Sequence, residues 1–215
     1  MQSSIVKKFL MAISGIFLII FLTQHLFINL TSLVPDDGKT FNLISHFMGY
    51  NPVVQFILQP LLIFGVCFHF IMGFALEISN RSARSQKYLI DKTEASWVSK
   101  NMIISGMVIF SFLLLHFYDF WIPEINYKYI DLNGVDSTRY FEELVHKFEG
   151  NIYRTLLYCV SFVFLGLHLL HGFTSSFQTM GIQKKYLRSV QLMSTIYSYS
   201  IMLGFILIAI IHYCN

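Results

Sequence analysis

The chain has 215 residues, of which 55% are apolar, 17% are aromatic and only 13% are charged. An ordinary soluble domain carries roughly 25% charged residues. At a mean hydropathy of +0.58 the apolar side chains are too many for one buried core, so lipid must cover much of the surface. The three cysteines stand singly in apolar segments, which excludes a disulfide framework, a CxxC redox pair and a cysteine-rich metal site.

Five apolar segments of 21 to 24 residues follow one another along the chain. Because a helix rises 1.5 Å per residue, about 20 residues cross the roughly 30 Å hydrocarbon layer of a bilayer. The first segment is too long for the apolar part of a signal peptide and lacks a small-residue cleavage site, so we expect it to be retained. The sequence predicts an all-α integral membrane protein, a single domain over residues 1–215, with spans at about 9–30, 53–76, 102–122, 155–177 and 190–213.

Basic residues indicate the orientation of these spans. The segments 1–8, 77–101 and 178–189 hold 10 of the 15 basic residues but only 3 of the 12 acidic ones. Cytoplasmic loops carry the excess of Lys and Arg, so we expect a cytoplasmic N-terminus and a C-terminus on the outside. Aromatic rings that prefer the membrane interface stand near the predicted ends of the spans, at Trp97, Tyr118, Trp121, Tyr127, Tyr129 and Tyr153.

Two outer connections contain amphipathic segments that predict helices lying on the membrane surface. In the longer connection, Ser137 is placed to cap a helix. The apolar positions of that helix share one face and are Phe141, Leu144, Val145 and Phe148. Residues 41–50 are a weaker candidate of the same kind.

Four of the eight histidines lie one in each of the first four spans, inside the apolar segment: His25, His69, His116 and His168. An ionisable residue within the membrane is costly and normally faces the bundle interior with a partner. A single such histidine is most often a hydrogen-bonding residue. Four on successive helices, with no chain of intramembrane carboxylates to relay protons, indicate metal ligands.

Depth in the membrane pairs these histidines. His25 and His116 lie in the outer third of two outward-running spans, whereas His69 and His168 lie in the cytoplasmic half of two inward-running spans. Two histidines on opposed helices at one depth can occupy both axial positions of a haem iron, which binds neutral imidazole. The sequence predicts five transmembrane helices in a bundle around two b-type haems stacked across the membrane.

Small residues accompany these histidines at helical spacings. They are Gly65 and Gly73 around His69, Ser161 and Gly172 around His168, Ser14 before His25, and Ser105 before His116. Such residues either leave room for a porphyrin edge or let helices approach closely. Both interpretations stay open from the sequence.

Several other polar residues permit two interpretations. His171 either competes with His168 as a ligand or contacts the cofactor from beside it. Asp119, near the outer interface, either exchanges protons with a quinone or is an ordinary carboxylate at a helix end. The remaining histidines are expected to be solvated, and they are His46, His146 and His212.

Four short motifs occur in order, one in each of the first four spans: Gln24-His25-Leu26, His69-x3-Gly73, His116-Phe-Tyr-Asp-Phe-Trp121 and Gly166-Leu-His168-Leu-Leu-His-Gly172. Together they cover nearly the whole chain and resemble the cytochrome b subunit of succinate dehydrogenase and fumarate reductase, in the five-helix, two-haem form of menaquinone-using bacteria. The resemblance implies that His25 and His116 hold the outer haem and that His69 and His168 hold the inner one. It also implies a multi-pass protein of the bacterial cytoplasmic membrane.

By this resemblance the chain is a component of an enzyme in the respiratory chain and the tricarboxylic acid cycle. A flavoprotein subunit on the cytoplasmic side acts on succinate or fumarate, an iron–sulfur subunit passes electrons, and this chain anchors both and connects them with menaquinone. No nucleic acid partner is implied. Some diheme fumarate reductases have a glutamate where Gly166 stands here, so their proton pathway is not implied. Four basic residues either bind the partner subunits or the propionates of the inner haem, or are ordinary cytoplasmic charge: Arg81, Arg84, Lys100 and Lys184.

Two other functions agree with the same pattern. The first is a diheme cytochrome b anchor of a different quinone-linked dehydrogenase, which copurifying soluble subunits would distinguish. The second is a small transporter whose histidines relay protons. A transporter predicts a colourless protein with a broken helix at its substrate site, whereas internal prolines are few here, chiefly Pro60.

Overall fold

A computed structural model describes residues 4–83 and 102–214 of the chain. Helices make up 89% of these residues, none of them forms a strand, and five helices are long and apolar enough to cross a membrane. The predictions of an all-helical fold and of five spans are thus confirmed for this part of the chain. The predicted interface residue Trp97 and two predicted partner-binding residues, Arg84 and Lys100, lie outside the described residues.

The described residues form seven α-helices of ten or more residues. They are α1 (Ser4–Leu30), α2 (Lys39–Tyr50), α3 (Gln59–Ala83), α4 (Met102–His116), α5 (Arg139–Phe148), α6 (Ile152–Thr179) and α7 (Leu187–Cys214). Short helical turns extend several of them, so that the five candidate spans cover Ile5–Leu33, Val54–Asn80, Met102–Ile130, Ile152–Thr179 and Lys184–Cys214. The spans are therefore longer than the apolar segments that predict them.

The third span continues furthest beyond its apolar segment. After α4 the chain passes through a π-helical turn (Phe117–Trp121), a short α-helical piece (Ile122–Ile125) and a second π-helical turn (Asn126–Ile130). Pro123 falls in the first turn of the short piece, where a residue without an N–H is tolerated. The helix therefore runs to Ile130 instead of ending at Ile122, where the apolar segment stops.

Four of the spanning helices form a bundle. Helix α1 packs against α3 and α6, and α4 packs against the same two helices. Helix α1 therefore lies diagonally across the bundle from α4, and α3 lies diagonally across from α6. Because successive spans run in opposite directions, each diagonal joins two helices of the same direction.

Helix α7 lies outside this bundle, against α6 and α1. Ser194 Oγ donates a hydrogen bond to the backbone oxygen of Leu170 at 2.9 Å, which ties α7 to α6. Tyr197 Oη lies 2.9 Å from the backbone oxygen of Ile19 and donates to it, which ties α7 to α1. The fifth span thus supports the bundle from one side.

Helices α2 and α5 cover the predicted outer end of the bundle. Leu144 and Phe148 of α5 are buried, and the rings of Phe41 and Phe141 meet edge to face with 6.4 Å between their centres. Both predicted amphipathic helices are therefore present. The predicted cap at Ser137 is wrong, because α5 begins at Arg139. The turn before α5 is closed instead by Asp136, whose Oδ1 accepts a hydrogen bond from the backbone N–H of Thr138 at 3.0 Å.

A cluster of charged residues joins α5 to the extended end of the third span. Glu124 forms ion pairs with Lys128 and Arg139 and accepts a hydrogen bond from Tyr140 Oη at 2.7 Å. Arg139 Nε also donates to Glu143 at 2.7 Å. Burial, followed by the neighbouring Glu124 carboxylate, raises the pKa of Tyr140, so its phenol remains a donor.

The orientation of the bundle can be tested with cysteine labelling. In a variant whose three natural cysteines (Cys67, Cys159 and Cys214) are replaced by serine, we expect Val135→Cys to react with an impermeant thiol reagent from the outside. Lys185→Cys should react only after the membrane is opened, because it lies at the predicted cytoplasmic end. Both positions are exposed in the structure, so access depends only on the side of the membrane. The reverse pattern would contradict the predicted orientation.

Candidate functional site

His25 of α1 and His116 of α4, which we name the outer pair, face each other across the bundle. Their ring centres are 5.8 Å apart and their planes meet at 81°. Phe21 stacks on His25 at 5.5 Å and Phe112 stacks on His116 at 5.7 Å, each from one turn earlier in the same helix. Phe205 of α7 approaches His25 to 5.7 Å. The outer pair therefore has predominantly aromatic, apolar surroundings.

His69 of α3 and His168 of α6, the inner pair, face each other across the other diagonal. Their ring centres are 6.3 Å apart and their planes meet at 68°. Ser14 Oγ of α1 lies 3.0 Å from His69 Nδ1, and Ser105 Oγ of α4 lies 3.1 Å from His168 Nδ1. The inner pair is thus hydrogen-bonded to the two helices that carry the outer pair.

The two pairs lie at two levels of the bundle. Ser14 marks the level of the inner pair and His25 that of the outer pair on the same helix. Their separation of 11 residues corresponds to about 16 Å along the axis. Both levels fit inside the roughly 30 Å hydrocarbon layer. The structure brings together the same pairs that depth in the membrane predicts.

The distances within each pair suit two ligands of one iron atom. With metal–nitrogen bonds of about 2.0 Å and a ring radius of about 1.1 Å, two imidazoles on opposite sides of an iron have centres about 6.2 Å apart. The observed 5.8 Å and 6.3 Å lie close to that value. All four histidines also keep part of their surface accessible, so neighbouring side chains do not close completely around them.

The donor set favours a haem over a bare metal ion. Among residues 4–83 and 102–214, no group of three or more His, Cys, Asp or Glu side chains is placed to hold a metal. Each pair therefore supplies two nitrogen ligands, and an iron with six ligands needs four more. A porphyrin provides four nitrogens in one plane and leaves the two axial positions to histidine. The residues present fit this group.

Three glycines beside the inner pair lie against side chains of neighbouring helices. A Cβ on Gly65 would lie 2.7 Å from an aromatic ring of α1. A Cβ on Gly73 would lie 3.3 Å from the methyl carbon of Met11, and one on Gly172 would lie 3.3 Å from that of Met102. At Gly65 the aromatic ring of α1 leaves no room for a side chain, so this glycine permits close helix approach. At Gly73 and Gly172 the neighbours are flexible methionine ends, and both interpretations stay open.

Helices α1 and α4 carry the same pattern, which is Ser14-Gly15-x9-His25 in one and Ser105-Gly106-x9-His116 in the other. In both, the serine contacts the inner histidine of the neighbouring helix. A Cβ on Gly15 would lie 3.6 Å from His69 Cε1, and one on Gly106 would lie 3.7 Å from His168 Cε1. The sequence alone relates each serine to the later histidine of its own helix. The contact with the other pair depends on how the helices are rotated, which spacing does not reveal.

Asp119 lies in the first π-helical turn after α4 and is 0% exposed. Tyr158 Oη of α6 donates to Asp119 Oδ2 at 2.7 Å, and Arg154 Nη2 lies 3.4 Å from Oδ1. The Tyr158 ring also lies 6.4 Å from His116. Asp119 is therefore not a carboxylate at the end of a helix, because the third span continues to Ile130, and its side chain links this span to α6 beside the outer pair. Its role toward a quinone stays a prediction.

Two histidines expected to be solvated are enclosed under the outer helices. His212 is 1% exposed, and its Nε2 lies 2.9 Å from Ser32 Oγ. Both ring nitrogens of His46 are buried, and its ring lies 4.9 Å from that of Tyr140. These expectations are wrong because α5 covers both residues, which only the tertiary structure shows. His146 is exposed, as expected.

The site as a whole consists of two ring pairs, each able to hold one flat cofactor from both sides. No family model matches the chain, and no curated protein and no solved structure matches it significantly. A proposal of function therefore has to start from the paired histidines and from the motifs in which they stand.

The contact between Asp119 and Tyr158 predicts a stability effect. Tyr158→Phe removes the hydroxyl that serves the buried carboxylate, so we expect the free energy of unfolding to fall by about 1–3 kcal/mol. Thermal unfolding of the purified protein in detergent measures this change. The matched control is Tyr153→Phe on the same helix, where the side chain is 85% exposed. Equal stability of the two variants would contradict the structural role of the hydrogen bond.

Proposed function

We propose that the chain is the diheme cytochrome b membrane anchor of a succinate:menaquinone oxidoreductase, that is, of a succinate dehydrogenase or fumarate reductase. In this proposal it holds two b-type haems in the bacterial cytoplasmic membrane. It anchors a flavoprotein subunit and an iron–sulfur subunit on the cytoplasmic side and connects them with menaquinone. The observation that carries the proposal is the pair of facing histidines on each diagonal of one helix bundle.

The histidines would act as axial ligands. His25 and His116 would hold the outer haem, and His69 and His168 the inner one. When bound, each haem supplies a carrier of one electron. With a histidine on each side, the bound iron would have no open position for oxygen or substrate, which would suit electron transfer and not oxygen chemistry.

Other residues of the chain would hold these ligands in position and exclude water from them. Phe21, Phe112 and Phe205 surround the outer rings with apolar surface. Ser14 and Ser105 fix the orientation of the inner rings through hydrogen bonds. Helix α7 contributes no ligand but closes the outer level with Phe205.

The assignment to succinate or fumarate chemistry depends on the resemblance of the four motifs. The described structure adds a surface that suits soluble partners, because Lys184, Lys185 and Arg188 are exposed at the predicted cytoplasmic end. Acidic residues on partner subunits would complement these charges. The same surface suits the anchor of a different quinone-linked dehydrogenase. Mass spectrometry of the soluble subunits that copurify with the chain distinguishes the two.

A proton-relaying transporter agrees less well with the described residues. Transporters bind substrate at broken helices, whereas each of the four histidines lies inside a continuous α-helix or at its end. Pro60 is the second residue of α3 and does not interrupt the helix near His69. On α1 and α4, which contact both pairs, the sequence between the two levels (residues 14–25 and 105–116) contains no Asp or Glu that would continue a proton relay.

Haem content is the direct test of the proposal. We expect two low-spin b haems per chain in a pyridine haemochrome assay. His116→Ala should leave about one, because the outer iron loses a ligand while the inner pair lies on the other diagonal. His146→Ala is the matched control, since His146 is exposed at the outer end, and it should keep both. One haem or none in the unaltered protein would contradict the proposal.

Two adjacent histidines of α6 provide a further test of the ligand assignment. His168 faces His69 at 6.3 Å, so His168→Ala should empty the inner site or leave its iron with five ligands. His171→Ala should keep two haems with six ligands each. Electron paramagnetic resonance of both variants separates these outcomes. Loss of the inner low-spin signal in His171→Ala, with the signal retained in His168→Ala, would show that the assignment is wrong.

A further inference from the structure

The serines of the inner pair each make two contacts through one oxygen atom. Ser14 Oγ lies 3.0 Å from His69 Nδ1 and 2.8 Å from the backbone oxygen three residues earlier in α1. Ser105 Oγ lies 3.1 Å from His168 Nδ1 and 2.9 Å from the backbone oxygen three residues earlier in α4. The same arrangement thus occurs twice, on two helices from different parts of the chain.

These contacts determine where the protons lie. A serine hydroxyl has one proton to donate, and a backbone oxygen can only accept. With that proton directed to the backbone oxygen, Oγ meets the imidazole as an acceptor, so Nδ1 must carry a proton. A neutral imidazole that is protonated on Nδ1 has its lone pair on Nε2.

We propose that Ser14 and Ser105 are positioning residues that select the tautomer of the inner histidines. They keep Nε2 of His69 and His168 free to bind iron, and they strengthen both as ligands. This inference rests on the proposed haem function. A hydrogen bond from the second nitrogen of a metal-bound histidine orients the ring and raises its basicity, so a serine on each side acts on the same iron.

The outer pair has different surroundings. His116 Nδ1 is buried and has no hydrogen-bond partner among the described residues. Phe112 and Phe120 lie against this ring, at 5.7 Å and 5.1 Å between ring centres, and neither side chain can accept from an N–H as a hydroxyl does. The serines therefore make the two levels chemically unequal. A more basic ligand favours ferric iron, so these hydrogen bonds lower the midpoint potential of the inner haem only.

The test compares Ser14→Ala, Ser105→Ala and the double variant by potentiometric titration of the two haem signals in the purified complex. We expect the inner midpoint potential to rise in each single variant and further in the double variant, with the outer potential unchanged. Inner haem affinity should fall about 10–100-fold. Ser105→Thr, which keeps a hydroxyl, should restore the value of the unaltered protein.

The matched control is Ser111→Ala. Ser111 lies on α4 and also donates to a backbone oxygen, at 3.0 Å, but it is exposed and lies two turns of helix from Ser105. It should change neither potential. An unchanged inner potential in a double variant that keeps both haems would overturn the proposal, and so would an equal shift of both potentials.

A second measurement needs no serine variant. In the unaltered protein with reduced iron and ¹⁵N-labelled histidine, nuclear magnetic resonance should show protonated Nδ1 for both inner histidines, assigned with His69→Ala and His168→Ala. Protonation on Nε2 instead would overturn the proposal. If the unaltered protein contained no haem, the proposed function would fail, while the same spectrum would still decide which ring nitrogen of each inner histidine carries the proton.

Discussion

A histidine ring inside hydrocarbon needs a partner, and in this bundle the partners lie on other helices. Each of the four histidines in the outer and inner pairs faces the histidine of the diagonally opposite helix, at 5.8 Å or 6.3 Å between ring centres. Both pairs lie between the same four helices, α1, α3, α4 and α6. The fifth spanning helix, α7, packs on the outside of this bundle.

The same constraint explains the small residues and the repeated pattern. A ring can reach the axis at one level only if the neighbouring helices approach closely at that level, and Gly65 permits this beside His69. Helices α1 and α4 meet the requirement at both levels. Each has a Ser-Gly pair at the inner level and a histidine at the outer level, 11 residues after the serine. Each of these helices thus serves both pairs, which couples the geometry of the two levels.

The number of spans and the pairing of histidines could be predicted because both depend only on position along a helix axis. Apolar length gives the spans, and the count of residues from each end gives the depth of His25, His69, His116 and His168. Contacts that depend on helix rotation could not be predicted. The spacing along α1 relates Ser14 to His25 of the same helix, whereas in the structure Ser14 forms a hydrogen bond with His69 of α3.

Contacts that depend on the outer helices could not be predicted from the sequence either. Asp119, placed by its position at the interface, is buried because Tyr158 and Arg154 of α6 lie against it. His46 and His212 are enclosed because α5 is held over them. An ion pair between Arg139 and Glu124 fixes α5 there, at the end of a helix that continues past its apolar segment. Hydropathy shows neither the continuation nor the pairing.

The unequal surroundings of the two levels have a consequence for a chain that holds haems as proposed. Aromatic rings around His25 and His116 offer little to stabilise added positive charge, which favours ferrous iron at the outer level. A carboxylate near this level, that of Asp119, is offset by Arg154 at 3.4 Å. At the inner level the serine hydrogen bonds act in the opposite direction and favour ferric iron. Both effects would place the electron preferentially at the outer level of such a chain.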